Sequence, residues 1–283
     1  MGGSLYFNHE VCTLINNLEM TGTTPELLTS NEITSSKGVI YMSDPKLLSD
    51  FENLYLKVRK KEGRIYPDSV VKNLPNVSEN HSLSWEWQIR AKSMDKFIAY
   101  LKRKPMKIID LGCGNGWLSN RLAQIGDCMV YAIDLNAQEI EQGARIFSDT
   151  NSLQFVYGNV FDGIFQPAGF DLILLASSVQ YFPDLKSLFK RLIKLLGECG
   201  EIHIIDSPFY TKKSVISAKQ RTVNYYHELG YPEMANHYYH HLWSDLTGFK
   251  YKIKYNPDTF FCRLKHGFTK KILSPFPWIV IQS

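Results

Sequence analysis

No stretch of the 283-residue chain approaches the ~18 consecutive apolar residues that a membrane span needs, so no spanning segment is expected. Cysteine is sparse and scattered. Cys12, Cys113, Cys128, Cys199 and Cys262 form no CxxC pair, which argues against a thiolate metal site and for reduced thiols. An excess of one charge is missing as well: 32 Lys and Arg against 28 Asp and Glu leave a net charge of +4, too small to mark a nucleic-acid binder. The opening residues carry no basic-then-apolar signal and no myristoylation pattern, so the expected location is cytoplasmic. There is no internal repeat and no low-complexity tract. With 44% hydrophobic residues the composition is that of a folded globular chain. What is abundant is aromatic: 16 Tyr and 16 Phe, enough to wall a pocket for an apolar or planar ligand, although packing could use them all.

Three stretches differ in texture. Residues 1–43 are rich in Asn, Thr, Ser and Gly, and short strands and turns are expected there, forming a small cap. Residues 44–104 read as a helical lead-in. Asp44 can cap a helix with Pro45 at its first position, and Leu47, Leu48, Phe51, Leu54, Tyr55 and Val58 fall on one stripe. The linker Asn73-Leu74-Pro75-Asn76 breaks the pattern. A second amphipathic helix follows, with Trp85, Ile89, Met94, Phe97, Ile98 and Leu101 on its apolar side.

From residue 105 to 283 short apolar runs alternate with helical patterns. The runs are Met106–Leu111, Met129–Asp134, Leu153–Tyr157, Phe170–Ala176 and Glu201–Asp206; Tyr251–Tyr255 and Trp278–Gln282 follow as an expected antiparallel pair at one edge. Strands alternating with helices predict βαβ units, hence an α/β, doubly wound, mostly parallel sheet. Runs such as Asp171-Leu-Ile-Leu-Leu-Ala176 read as strands buried on both faces.

The most informative segment is Lys107-Ile-Ile-Asp110-Leu-Gly112-Cys-Gly114-Asn-Gly116-Trp117. An apolar run ends in an acid, then three alternating glycines lead into a helical pattern. Glycine permits positive φ and lets a ligand lie against bare backbone, while the next helix presents free N–H groups to an anion. The dinucleotide fingerprint fails because its third glycine would fall at Trp117, and the phosphate-loop pattern fails for want of a Gly-Lys-Ser/Thr. About 20 residues on, Asp134 ends the next run, where an acid can accept both ribose hydroxyls.

The glycine segment resembles the first motif of class I S-adenosylmethionine-dependent methyltransferases. Further resemblances follow in order: Asp134-Leu135, Gly158-Asn159-Val160, Ser177-Ser178-Val179-Gln180-Tyr181 and Leu195-Leu-Gly197-Glu-Cys-Gly200. Together they span residues 106–206. The resemblance implies a seven-stranded Rossmann-like sheet and a site for S-adenosyl-L-methionine, with S-adenosyl-L-homocysteine as product. It assigns the donor site to Asp110, Gly112, Gly114, Gly116, Asp134, Leu135, Asn159, Val160 and Ser177. Asp110 would lie near the methionine amino group and Asn159 near the adenine; the family usually has Asp at the position of Asn159, and Asn can still accept through its carbonyl oxygen. The lead-in is similar to that of a bacterial, type 11-like small-molecule subgroup, some of whose members begin with a cysteine zinc ribbon. With Cys12 alone in that stretch, a degenerate ribbon without metal is expected.

Arg64 and Arg90 are candidates to hold the donor carboxylate, and aromatic faces suit its sulfonium. A substrate lid is expected at about 208–248. His237 and His241 are four residues apart, but no carboxylate at a suitable spacing supports a metal site. Candidate catalytic residues are Tyr181, beside the reactive methyl, and His237 or His240 from the lid. The acceptor expected is a small organic molecule methylated on oxygen or carbon, with no membrane partner. An RNA methyltransferase, suggested by the Lys/Arg clusters, and a non-catalytic donor-binding module are the alternatives.

Overall fold

A computed structural model describes residues 34–45, 49–101, 106–259 and 272–282. Residues 1–33 of the zinc-ribbon-like stretch, Leu47, Leu48 and Lys102-Arg103-Lys104, one of the Lys/Arg clusters, lie outside the described residues. Among the described residues nine strands form one sheet: β1 (Thr34–Ser36), β2 (Val39–Tyr41), β3 (Lys107–Leu111), β4 (Met129–Asp134), β5 (Leu153–Tyr157), β6 (Phe170–Ala176), β7 (Leu196–Ile205), β8 (Tyr251–Tyr255) and β9 (Trp278–Gln282). Their spatial order is β1-β2-β5-β4-β3-β6-β7-β9-β8. The six central strands, β2 to β7, run parallel, and antiparallel pairs close both edges.

The seven expected strands become nine because a hairpin adds to one edge. Lys37 and Gly38 both have positive φ, the requirement of a type I′ turn, and Val39–Tyr41 then pairs with Phe155–Tyr157. Val39 and Ile40 are both buried, one on each face, so the edge of β5 is covered.

The helices are α1 (Ser49–Lys61), α2 (Asp68–Val71), α3 (Ser84–Tyr100), α4 (Trp117–Ala123), α5 (Ala137–Ile146), α6 (Leu185–Leu195) and α7 (Ser214–Leu229). Alternating strand residues feed two cores. On one face Ile108, Val130, Phe155 and Leu174 pack with Trp87, Phe97, Leu122 and Ile140; on the other Ile109, Ile133, Val156 and Ile173 pack with Leu188, Phe189 and Leu192. Asp184 caps α6, accepting from Lys186 N at 2.9 Å and Ser187 N at 3.2 Å. Asp171 fixes the start of β3 by accepting from Lys107 N at 2.7 Å.

The second lead-in helix differs from expectation in its buried face. Trp85 is 60% exposed, whereas Trp87 is buried, donating to Tyr66 Oη at 3.1 Å and packing edge-on against Trp117. On the helix Trp87 shares the face of Met94, Phe97 and Leu101, while Trp85, two residues earlier, falls nearly opposite them. At its other end α3 is anchored by His203. The His203 Nδ1 accepts from Trp278 Nε1 at 3.0 Å, so Nε2 carries the proton and donates to Glu201 at 3.1 Å. Tyr100 Oη donates to the same carboxylate at 2.8 Å.

Among the described residues, no helix is long and apolar enough to cross a membrane. The chain-order reversal between β3 and its two neighbours, β4 and β6, opens a crevice at the carboxyl ends of the strands.

Candidate functional site

The loop after β3 is built on three left-handed glycines, and they do different work. A Cβ on Gly112 (φ +79°) would lie 2.4 Å from Ser178 Cβ, and one on Gly116 (φ +70°) 2.4 Å from the Phe155 ring. Packing requires both. Gly114 (φ +56°) faces open space, its nearest neighbour being the Glu139 carboxylate at 3.6 Å. Gly112 N and Cys113 N both donate to Ile133 O, at 2.8 and 3.1 Å, which fastens the loop to β4. The result is a strip of bare backbone along one wall of a cavity of about 230 Å³, far above the ~10–15 Å³ that one water needs.

Asp134 faces this strip from the end of β4. Its Oδ2 accepts from Gly114 N at 2.7 Å, and its Oδ1 from Leu135 N at 2.7 Å and Asn136 N at 2.9 Å. A carboxylate has about four acceptor sites, so capacity remains toward the cavity. Burial pushes its pKa up, and the three N–H donors oppose the shift. Asp110 is 1% exposed; Ser119 Oγ donates to its Oδ2 at 2.6 Å, while Oδ1 has no partner among the described residues. Burial, with the charge of Asp134 adding, pushes Asp110 up to about 7. An orphaned buried oxygen beside an open glycine backbone fits a ligand carrying both donors and positive charge.

Glu139 was not foreseen. Its spacing from Asn136 is that of a capping box, in which the Glu side chain returns to the cap N–H. Here Glu139 N donates to Asn136 Oδ1 at 2.9 Å, but Asn136 N is already taken by Asp134. The Glu139 carboxylate is thereby released into the cavity, where burial and Asp134 push it up to about 7 against the pull of Arg59 and Arg90.

Asn159, which would meet the adenine, already accepts from Phe161 N at 3.1 Å through Oδ1, leaving its amide N–H groups and one lone pair. Ser177 has φ +55°, and its Oγ donates to Asp206 O at 3.0 Å. Arg64 pairs bidentately with Glu86 at 2.7 and 2.6 Å, and Arg90 reaches the same Glu86 through Nε at 3.1 Å. Burial would raise Glu86, but the two guanidinium groups outweigh it and hold the carboxyl at about 2.

The cavity wall thus brings together Asp110, Gly112, Gly114, Asp134, Leu135, Asn159, Val160, Ser177, Arg64, Arg90 and Tyr181. Gly116, His237 and His240 do not line it. His237 packs on Phe51, 4.9 Å between ring centroids, and His240 Nε2 lies 2.9 Å from Thr222 Oγ1. The stretch Pro232–His237 is a 3₁₀ turn that ends at His237, so His237 and His241 share no helix face. Tyr55 and Tyr181, which line the cavity, form with Tyr238 a run of edge-on rings, with the Arg59 guanidinium 4.7 Å above Tyr55.

Residues 102–253 match a family described as a methyltransferase domain. Sterol 24-C-methyltransferase of Candida albicans is 23% identical over 128 residues, covering 44% of this chain and 34% of that protein. Ubiquinone biosynthesis O-methyltransferase of Xanthomonas campestris pv. campestris is 33% identical over 101 residues, covering 35% of this chain and 41% of that protein. The chain therefore spans about a third of the length of the first of these curated relatives. Among solved structures, geranyl diphosphate C-methyltransferase from Streptomyces coelicolor A3(2) aligns with a TM-score of 0.50 and 14% identity, over 72% of this chain and 85% of that one. The YcgJ protein from Bacillus subtilis aligns with a TM-score of 0.50 and 13% identity, over 68% and 94%. At these identities the likeness is one of fold.

Proposed function

The chain belongs to this methyltransferase-domain family, and we propose that it transfers the methyl group of S-adenosyl-L-methionine to a small, largely apolar acceptor. The observation that carries the reading is the open backbone at Gly114 with the Asp134 carboxylate 2.7 Å from its N–H. In this reading the remaining acceptor capacity of Asp134 takes the ribose hydroxyls, and Asn159 with Val160 meets the adenine. When bound, the donor supplies an electrophilic methyl group on a sulfonium centre.

The chain's own contribution is chiefly positioning. Displacement at carbon needs nucleophile, methyl and sulfur in line, so fixing two bound molecules supplies much of the rate. Tyr55, Tyr181 and Phe182 offer aromatic walls that favour a cation and exclude water. Tyr181 is the sequence-derived catalytic candidate that faces the cavity; it can orient an acceptor hydroxyl. An apolar small-molecule acceptor agrees with these walls and with relatives named for sterol and ubiquinone-biosynthesis methylation. Residues 208–248 serve as the lid, since Tyr238 and Met234 pack against α1.

Titration calorimetry with S-adenosylhomocysteine, followed by incubation with methyl-labelled donor and a panel of phenolic and isoprenoid acceptors, tests the proposal. Saturable binding and acceptor-dependent label transfer support it. Absence of heat with either donor or product refutes it.

A further inference from the structure

We infer that Asp206 and Arg90 form the subsite for the amino-acid end of the donor, Asp206 Oδ2 accepting from its ammonium and Arg90 donating to its carboxylate. The inference rests on the donor reading above. Asp206, the last residue of the apolar run Glu201–Asp206, directly follows β7.

Asp206 lies one strand beyond Ser177, and both residues are left-handed, at φ +52° and +55°. Neither is glycine. Side-chain-bearing residues persist in that region where their surroundings leave no alternative, and such sites cluster around ligands. Here Ser177 N donates to Ile205 O at 3.0 Å and Ser177 Oγ to Asp206 O at 3.0 Å, which locks the two strand ends together.

The side chain is fixed as firmly as the backbone. Ser93 Oγ on α3 donates to Asp206 Oδ1 at 2.6 Å, and Ser274 Oγ donates to the same oxygen at 3.1 Å. Both clasps fall on Oδ1. Among the described residues Oδ2 has no partner, and Asp206 lines the cavity. Burial raises its pKa while Ser93 and then Arg90 draw it back, so Arg90 is close by.

Arg90 also lines the cavity. Its Nε and Nη2 both engage Glu86 Oε1, at 3.1 and 2.9 Å, leaving Nη1 without a partner among the described residues. No ion pair joins Arg90 to Asp206. A carboxylate and a guanidinium that line one cavity without pairing with each other, each with one free hydrogen-bonding atom, complement a molecule bearing an ammonium and a carboxylate on one carbon. The methionyl end of the donor is such a group, and 5′-methylthioadenosine is the same nucleoside without it.

The test is calorimetry of the full chain and of Asp206→Asn with S-adenosylhomocysteine and with 5′-methylthioadenosine. Loss of a charge-assisted hydrogen bond predicts S-adenosylhomocysteine affinity in the variant weaker by about tenfold or more, with methylthioadenosine affinity unchanged. Equal S-adenosylhomocysteine affinity in both proteins overturns the assignment while leaving the donor reading intact, as an acceptor-side role for Asp206 would. Parallel loss for both ligands also overturns it, since Asp206 would then shape the cavity generally. If the wild type binds neither ligand, it is the donor reading that fails. Should Asp206→Asn not fold, Ser93→Ala keeps the charge and releases one clasp; the assignment then requires a several-fold loss confined to S-adenosylhomocysteine, and no loss refutes it.

Discussion

Asp134→Asn provides a quantitative test of the cradle. The carboxylate accepts three main-chain N–H bonds, Gly114 on Oδ2 and Leu135 and Asn136 on Oδ1. An asparagine of the same shape has one oxygen and one amide NH₂. If its oxygen stays with Leu135 and Asn136, the NH₂ confronts Gly114 N–H; if it flips, the NH₂ confronts two donors. The first arrangement is cheaper and spoils the one loop contact beside the open backbone. It also removes the acceptor capacity toward the ribose. A hydrogen bond to a charged group contributes roughly 1.5–3 kcal/mol, and each 1.4 kcal/mol is about a factor of ten. The expected loss in S-adenosylhomocysteine affinity is therefore roughly 10- to 150-fold, read by titration calorimetry. Thermal unfolding of the ligand-free variant serves as the control for the loop. A dissociation constant within about threefold of wild type, in a protein that still folds, would refute the reasoning.

Other outcomes follow from the same geometry. Gly112→Ala puts a methyl 2.4 Å from Ser178 Cβ and should cost about 2 kcal/mol of stability, a fall of roughly 4–8 °C in melting temperature. Gly114→Ala, two residues on, should cost only ~1 kcal/mol for the left-handed backbone yet abolish donor binding, because its methyl enters the cavity; calorimetry and unfolding on both variants separate the two effects. Asp110 and Glu139 sit at about 7 in the folded chain against ordinary values of 3.8 and 4.5. Between those values the ligand-free folded state holds more protons than the unfolded one, so their contribution to stability is greatest at low pH and is lost as pH rises toward 7. Urea unfolding across that window should therefore show a shallower pH slope in Asp110→Asn and Glu139→Gln. The same ionisation supplies negative charge for a sulfonium, so affinity for the donor should rise through pH 7 more steeply than affinity for its uncharged-sulfur product. His203→Ala leaves Trp278 Nε1 without its acceptor, removes one of the two donors on Glu201 Oε2, where Tyr100 remains, and opens a void at a residue of 0% exposure; a loss of about 3 kcal/mol is expected, and a change below ~0.5 kcal/mol in denaturant unfolding would contradict it.

Features specified by neighbours in sequence were legible in advance. The strand runs are apolar on both faces because helices cover both sides of the sheet, and the glycine loop is one uninterrupted segment. The positions that sequence misjudged are those decided by partners far away. Trp87, and not Trp85, is buried, and its indole N–H finds Tyr66, 21 residues earlier. Gly116 carries the family pattern, yet the Phe155 ring, rather than a ligand, is what excludes its Cβ. The histidine cluster looked like chemistry because three such residues fall within five. Their helical spacing is broken by the turn that ends at His237, and His241 is buried with its Nε2 3.1 Å from Val179 O.

Glu139 and Asp206 share one reason for having escaped notice. Each sits where a local rule assigns it a structural duty, the capping box for Glu139 and the strand end for Asp206. In each case another group has taken that duty. Asp134 occupies the N–H that Glu139 would cap, and Ser177 ties the backbone that Asp206 would otherwise have to hold. A polar side chain relieved of its local role, yet kept beside a cavity at the expense of burial, must be stabilised by whatever enters that cavity. Both carboxyls are pushed up by burial in the ligand-free chain, which is the direction expected of groups whose charge is compensated only when a cation arrives. Loading the site should therefore release protons, and calorimetry in two buffers of different ionisation enthalpy would count them. A binding enthalpy that does not depend on the buffer would mean that these carboxyls keep the same protonation in both states, and the argument from relieved side chains would fall.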